Sequence, residues 1–240
     1  MTNETLRTLH DLKLPGMASC WTSLEETHQL DKITLRDGMQ LMLQHEQDMR
    51  QSNRIERLIK NANFRLKASI EELETDTPRG LSTATVADLA SGKYITNGMT
   101  IISTGAAGTG KSYFACALGD RACRNGIKVL YFTMNMLIET LRLVHLEGRE
   151  TNFFRKLCSH ELLIIDDFGM VKLEGQLQHD FEQIIDDRYN RSATILASQL
   201  AIADWYNVFQ SELIAEACLD RLVHKAIKIE LKGESLRKKY

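Results

Sequence analysis

The stretch TGAAGTGKSYF (residues 104–114) decides the fold, because it fits the pattern G-x-x-x-x-G-K-[S/T] directly after an apolar run. Glycine is costly inside helices and strands, so three glycines between residues 105 and 110 indicate a loop whose backbone N–H groups converge. In such a loop the lysine reaches the β- and γ-phosphates of a nucleotide and the serine hydroxyl holds Mg²⁺. The pattern predicts binding of ATP and Mg²⁺ by Gly105, Ala106, Ala107, Gly108, Thr109, Gly110, Lys111, Ser112 and Tyr113.

Short apolar runs alternate with helix-like segments beyond residue 90. Short buried strands that alternate with helices are typical of a parallel sheet covered by helices on both faces. We therefore expect an α/β fold with a five-stranded parallel sheet, whose strands are MTIIST (99–104), KVLYFT (128–133), ELLIID (161–166), ATILAS (193–198) and IKIEL (227–231).

The segment LLIIDDFG (162–169) supplies the carboxylates that a phosphate-binding loop requires. Asp166, at the end of the apolar run, is the predicted second Mg²⁺ ligand together with Ser112. Asp167 is the predicted residue that orients or deprotonates the attacking water. Aspartate is one methylene shorter than the glutamate that many ATPases of this kind carry there, which predicts slow hydrolysis.

Two polar residues further along the chain complete the predicted site. Gln199, at the end of the fourth strand, is placed to sense the γ-phosphate, or else it caps the strand. Arg221 precedes the last strand and is the predicted arginine that stabilises transition-state charge in a neighbouring subunit. Alternatively, it pairs on its own helix with Asp220 or Glu216. Two other arginines are alternative candidates for this role in a neighbouring subunit (the trans role). They are Arg188 and Arg191, in DDRYNR (186–191).

The first third of the chain shows helical periodicity only. TLRDGMQLMLQHEQDM (34–49) spaces its apolar residues as one helical face, and TDTPRG (75–80) interrupts the pattern with a proline. We therefore expect three parts. They are a small all-helical domain over 1–75 for DNA or partner contact and oligomerisation, a linker with a lead-in helix over 76–97, and the ATPase domain over 98–240.

Residues 50–67 carry a local excess of positive charge, because six basic residues accompany one acid, Glu56. Read as one helix, the segment has a basic face and an apolar face, which suits contacts to DNA phosphates. The alternative is a solvated face that packs on the core. No base-reading motif is present, so low sequence specificity is expected. The candidate DNA contacts are Arg50, Arg54, Arg57, Lys60, Arg65 and Lys67.

Composition sets the remaining expectations. The net charge of −2 gives no global sign of a nucleic-acid partner. No apolar run approaches the roughly 18 residues of a membrane span, and no signal-peptide core opens the chain, so a cytoplasmic, nucleoid-associated protein is expected. Five cysteines without a C-x-x-C pair indicate reduced thiols.

Six stretches carry a resemblance to a known family. They are LKLPGMA (12–18), PRGL (78–81), GTGKSYFACAL (108–118), LLIIDDFG (162–169), IDDRYNRSATILASQL (185–200) and LDRLVHKAIKIELKGESLRKKY (219–240). Together they resemble the DnaC/IstB branch of the AAA+ ATPases, and IstB-type transposition helper ATPases in particular. The resemblance implies an ASCE-type sheet with little or no helical lid, ATP-dependent homo-oligomers on duplex DNA, and delivery of a target site to an IstA-type transposase. A DnaC-like helicase loader is the alternative, and a small-molecule kinase has little support.

Overall fold

A computed structural model describes residues 2–75 and 77–236. The chain divides into two compact units, Met1–Arg57 and Leu58–Tyr240. Among the described residues, none of the helices has the length and apolar character that crossing a membrane requires.

The first unit is helical, as expected. It contains α1 (Thr2–Asp11), α2 (Pro15–Glu26) and most of α3 (Leu35–Ala62). Its small core consists of Leu9, Met17, Ala18, Cys20, Leu24 and Met42.

The stretch LKLPGMA places α2 directly against α3. A Cβ added to Gly16 would lie 2.6 Å from the Cα of Glu46, so only glycine permits this close approach. The buried carboxylate of Glu46 accepts hydrogen bonds from the N–H groups of Gly16 (2.7 Å) and Met17 (3.1 Å), and it pairs with Arg50 at 2.6 Å. Glu46 therefore satisfies the first turn of α2, where backbone N–H groups have no partner within the helix.

The apolar face predicted from residues 34–49 packs only in part. Met42 is buried in the core of the first unit, but Leu35, Met39 and Leu43 are exposed by 86%, 48% and 50%. The helical periodicity is confirmed, whereas the burial that such periodicity normally indicates is found at only one of the four positions.

The second unit is built on the five-stranded parallel sheet. The strands are β1 (Thr100–Thr104), β2 (Val129–Thr133), β3 (Leu162–Phe168), β4 (Ala193–Ser198) and β5 (Ile227–Glu230), in the order β2-β3-β4-β1-β5. All pairs are parallel. The predicted fold class is confirmed, and β4 lies between the strand that enters the phosphate-binding loop and the strand that carries the paired aspartates.

Helices cover both faces of this sheet, each over its own apolar cluster. In chain order they are α4 (Thr83–Ala90), α5 (Lys93–Thr96), α6 (Lys111–Arg124), α7 (Met134–Leu146), α8 (Glu150–Cys158), α9 (Gln176–Arg188) and α10 (Glu212–Val223), with 3₁₀ helices at Ile70–Glu72, Thr77–Arg79 and Ile202–Val208. In the described part of the chain, residues 231–236 follow β5.

The division between the units does not follow the predicted boundary at residue 75. It falls between Arg57 and Leu58, inside α3. The reason is packing, because Leu58, Ile59, Phe64 and other apolar side chains before residue 75 lie against the core of the second unit. The segment with Pro78 therefore interrupts the helical pattern but does not form the boundary between the two compact units.

The predicted helix over 50–67 also ends early. α3 stops at Ala62, and Asn63 adopts the left-handed conformation with φ +58°. Asparagine tolerates this conformation better than most residues, so it ends the helix without glycine or proline. Arg65 and Lys67 therefore do not share a helical face with the other predicted basic residues, and Leu66 is 40% exposed instead of packed.

Candidate nucleotide-binding and hydrolysis site

The phosphate-binding loop lies between β1 and α6, as predicted. Gly105, Gly108 and Gly110 have φ values of +149°, +81° and +99°, which side chains rarely adopt. α6 begins at Lys111, so its free N–H groups and positive dipole end point into the loop. The arrangement fits the phosphates of ATP.

Lys111 spans the loop. Its Nζ donates to the backbone oxygens of Gly105 (2.8 Å) and Ala106 (2.7 Å), and its side chain is largely buried. Thr109 Oγ1 also donates to the Ala106 oxygen, at 2.9 Å. The ammonium group is therefore held over the loop, where it can meet phosphate oxygens after a small rearrangement.

Residues beyond β5 cover one side of the loop. Leu231 N donates to the Thr104 oxygen at 2.7 Å, and Leu236 N donates to the Gly108 oxygen at 2.9 Å. A Cβ added to Gly108 would lie 2.1 Å from Ser235 Oγ, so this glycine also permits the close approach of the C-terminal segment. The sequence continues with three basic residues and a tyrosine over 237–240, which lie outside the described residues.

Asp166 is held at the carboxyl end of β3. Its side chain is almost fully buried, and its two hydrogen bonds come from the Tyr131 hydroxyl (2.7 Å to Oδ2) and the Asp167 N–H (2.9 Å to Oδ1). Both donors are neutral groups, so a buried carboxylate charge remains for a cation to balance. Asp166 therefore fits a Mg²⁺ ligand, and Ser112 stands in the first turn of α6 at the same edge of the sheet.

Asp167 occupies an irregularity in the sheet. The register between β3 and β4 shifts between Ile165 and Phe168, and Asp167 itself has φ +57°. Bulges of this kind redirect a side chain, and a non-glycine residue at positive φ stores strain. The bulge brings the carboxylate to Arg65, whose Nη1 lies 3.1 Å from Oδ2.

Gln199 directly follows β4 and is exposed. Because β4 lies between β1 and β3, this residue stands between the phosphate-binding loop and the paired aspartates. Ser198, just before it, is buried, and its hydroxyl donates to the Phe168 oxygen at 2.7 Å. The polar residue that can face a ligand at this edge is therefore Gln199.

The three candidate arginines have different environments. Arg221, on α10, pairs with Asp186 at 2.9 Å, and not with the acidic neighbours on its own helix; its side chain is 30% exposed. It lines a cavity of about 410 Å³ beside Met99 and Thr100, at the end of β1 opposite the loop. Within one subunit Arg221 therefore lies near the end of the sheet opposite the phosphate-binding loop. Arg191 is exposed.

Arg188 is buried, which removes it from the trans candidates. Its guanidinium donates to the backbone oxygens of Leu157, His160 and Ala193 at 2.6–3.0 Å. Burial lowers the pKa of Arg188 to about 10. An arginine whose donors are used in the core supports the packing of its own subunit.

The candidate DNA-contact residues also separate into groups. Arg54, Arg57 and Lys60 are exposed on α3. Arg50 is committed to Glu46 and to the Lys13 backbone oxygen. Arg65 is bound to Asp167, and Lys67 is exposed beyond the end of the helix.

Sequence reasoning missed Tyr131 and the partner of Arg65. Tyr131 lies opposite Ile164 in the sheet register and therefore shares a face with Asp166, two residues further on. A tyrosine inside the apolar run KVLYFT was the signal that could have identified it. The five cysteines are free, as expected, and four of them are buried.

Comparison with known proteins places this site in a family. Residues 7–240 match the family of IstB-like ATP binding proteins. One relative is a protein of Sinorhizobium fredii that is named as insertion sequence ATP-binding protein y4pL. It is 35% identical to this chain, and the match covers 99% of this chain and 97% of that protein. A relative from Pseudomonas fluorescens, named as an ATP-binding protein of insertion sequence IS1162, is 39% identical over 83% of this chain and 87% of its own.

Two solved structures share the fold. Replication initiator DnaA, bound to AMPPCP and single-stranded DNA, matches with a TM-score of 0.59 and 20% identity over 72% of this chain and 52% of that one. The DnaC helicase loader matches with a TM-score of 0.57 and 18% identity, and the match covers 69% of this chain and 97% of that one. The chain therefore belongs to the IstB-like ATP binding protein family and is an insertion-sequence-associated P-loop ATPase with the AAA+ fold.

Proposed function

We propose that this chain assembles with ATP on duplex DNA as a homo-oligomer, hydrolyses ATP, and delivers the bound DNA site to an IstA-type transposase. The observation that carries the proposal is the phosphate-binding loop facing the Asp166–Asp167 pair across β4, in a chain whose relatives are named after insertion sequences.

Each step assigns work to this chain's own residues. The loop N–H groups and Lys111 bind the phosphates, and Ser112 with Asp166 hold Mg²⁺, which supplies charge neutralisation at the phosphates when bound. Asp167 orients the attacking water and accepts its proton. Gln199 contacts the γ-phosphate.

Arg221 completes the neighbouring site in this proposal. Its position across the sheet from its own loop supports a role in trans. Arg191 is the remaining rival, since Arg188 is buried. Turnover would then require two adjacent subunits, and DNA that aligns subunits would stimulate hydrolysis.

DNA binding is assigned to the exposed basic residues of α3. Arg54→Glu combined with Arg57→Glu should weaken duplex binding and reduce the salt dependence by about 0.9 log units for each phosphate that the variant no longer binds. ATP affinity without DNA should not change. A matched control reverses two exposed charges at the other end of this segment, Lys32→Glu just before α3 and Arg36→Glu in its first turn.

Gel shifts with duplex and single-stranded DNA, followed by pull-downs with the transposase and with a replicative helicase, test the proposal. Preference for duplex DNA and capture of the transposase are the expected results. Preference for single strands together with capture of the helicase would instead support the helicase-loader alternative, for which the likeness to DnaC shows the fold alone.

A further inference from the structure

The turn that follows α3, residues 63–66, is built against the hydrolysis site. Asn63 ends the helix, and the Phe64 ring then packs edge-on against Tyr131, with ring centroids 6.3 Å apart. The backbone of Arg65 and Leu66 lies close to the sulfur of Cys116 on α6. The turn therefore contacts the tyrosine that holds Asp166 and the helix that begins at the phosphate-binding loop.

A glycine on α6 makes room for this turn. A Cβ added to Gly119 would lie 2.5 Å from Phe64 Cε1 and 2.8 Å from Ile164 Cδ1. Such distances are too short for a carbon–carbon contact, so the ring occupies the space that any other residue at 119 would need. The position of the following residue, Arg65, is thus fixed by packing at Phe64.

From this turn Arg65 reaches the carboxylate that we assign to hydrolysis. Its Nη1 lies 3.1 Å from Asp167 Oδ2, and the arginine and aspartate side chains are 50% and 32% exposed. A guanidinium on a carboxylate oxygen occupies the lone pair that the attacking water would otherwise use, so this oxygen is not available to orient the water. The pair therefore opposes the proposed role of Asp167 for as long as it persists.

The pair is weak enough to be broken. An ion pair with this exposure shifts an equilibrium by a factor of only about two to five, and the phosphate backbone of DNA competes well for arginine. Lys60 and Lys67, on either side of the turn, are exposed and add positive charge beside Arg65. A polyanion attracted to this segment would meet Arg65 at the same time.

We propose that Arg65 is a positioning residue that links DNA to hydrolysis, because it holds Asp167 in an ion pair until a backbone phosphate of DNA takes its guanidinium. The inference rests on the proposed assignment of Asp167 as the residue that activates water. It gives one arginine two successive anionic partners, the carboxylate in the DNA-free protein and a phosphate in the complex.

The test compares steady-state ATP hydrolysis by the full chain with and without duplex DNA at saturating ATP. Arg65→Ala should raise DNA-free turnover by about two- to fivefold, the factor expected for releasing an ion pair of this exposure. The ratio of DNA-stimulated to DNA-free turnover should fall accordingly. Arg65→Lys, which keeps the charge, should retain most of the parent ratio, and Arg65→Gln provides a second neutral variant that keeps a polar side chain.

Lys93→Ala is the matched control, since Lys93 is an exposed cation of the second unit that does not pair with Asp167. It should leave DNA-free turnover and its stimulation by DNA unchanged. Unchanged DNA-free turnover in both neutral Arg65 variants would overturn the inference. Reduced DNA-free turnover would overturn it as well, because Arg65 would then assist the reaction directly.

Asp167→Asn separates this inference from the proposed function. If Asp167→Asn slows hydrolysis while the neutral Arg65 variants behave like the parent, the catalytic assignment holds and only the restraint fails. If Asp167→Asn hydrolyses at the parent rate, the assignment of Asp167 fails and the inference fails with it. The double variant Arg65→Ala with Asp167→Asn should be no faster than Asp167→Asn alone.

Discussion

The hydrogen bond between Tyr131 and Asp166 allows a quantitative prediction. Tyr131→Phe removes one hydroxyl and leaves the ring that packs against Phe64. Burial, and then the charge of Asp166, raise the pKa of Tyr131 far above its ordinary value, so the hydroxyl stays protonated and is the donor at any working pH. The substitution therefore deletes a hydrogen bond to a buried carboxylate and little else.

A hydrogen bond to a charged group contributes about 1.5–3 kcal/mol, and more is at stake when the acceptor stays buried. The 2.7 Å distance and the 1% exposure of Asp166 place this bond in that class. If Asp166 loses its orientation for the metal, each loss of about 1.4 kcal/mol weakens Mg²⁺ binding about tenfold. We therefore expect the Mg²⁺ concentration for half-maximal ATP hydrolysis to rise by about tenfold or more.

The assay is a Mg²⁺ titration of ATP hydrolysis at fixed ATP, together with urea unfolding without nucleotide. Tyr94→Phe is the matched control, because Tyr94 is also a buried tyrosine of the second unit and does not contact Asp166. If Tyr131→Phe shows the parent Mg²⁺ dependence and loses no more stability than Tyr94→Phe, then the hydroxyl does not hold Asp166 for the metal.

Three further predictions concern other parts of the molecule. Lys111→Ala should abolish ATP binding, since the cation held over the loop is removed; titration with a fluorescent ATP analogue measures this, and undiminished affinity would show that the loop is not the site. Arg221→Ala should still bind ATP but hydrolyse it slowly at every protein concentration, whereas parent turnover should rise with concentration; equal profiles would transfer the trans role to Arg191. Glu46→Gln should lower the stability of the first unit by about 2 kcal/mol at neutral pH, with Glu56→Gln as an exposed control on the same helix. Burial alone would raise the pKa of Glu46, but hydrogen bonds from Arg50, Met17 and Gly16 outweigh it and lower the pKa below its ordinary value of 4.5. The stabilisation is therefore present above that value and disappears as the pH falls through the lowered pKa, so urea midpoints of parent and variant should converge in acid.

The sheet and the phosphate-binding loop were predictable because local sequence determines them. Four strands, β1 to β4, are short and largely buried runs, whereas β5 exposes Lys228 and Glu230. The predicted strands match the observed ones within about two residues at either end, which is the usual scatter of such boundaries. Gly105 and Gly110 mark backbone conformations that other residues avoid, so the loop could be located from its spacing alone.

The features that were not predictable depend on tertiary contacts. The end of α3 at Asn63 carries no glycine or proline, and an amphipathic pattern continues past it, so periodicity extends the helix too far. Arg188 lies in the charged run DDRYNR, which is typical of a surface, yet backbone oxygens from three segments bind it in the core. The Arg65–Asp167 pair was not predictable either, because its members are separated by 102 positions in the chain.

The contact between Gly119 and Phe64 has an evolutionary consequence. Since the aromatic ring fills the space beside the helix, an alanine at 119 is compatible only with a smaller side chain at 64. The two positions should therefore vary together among descendants of this gene, although 55 positions separate them in the chain. Replacement of Gly119 alone would displace Phe64 and, with it, Arg65. Selection on ATP turnover would then act on a substitution at a position that contacts neither nucleotide nor DNA.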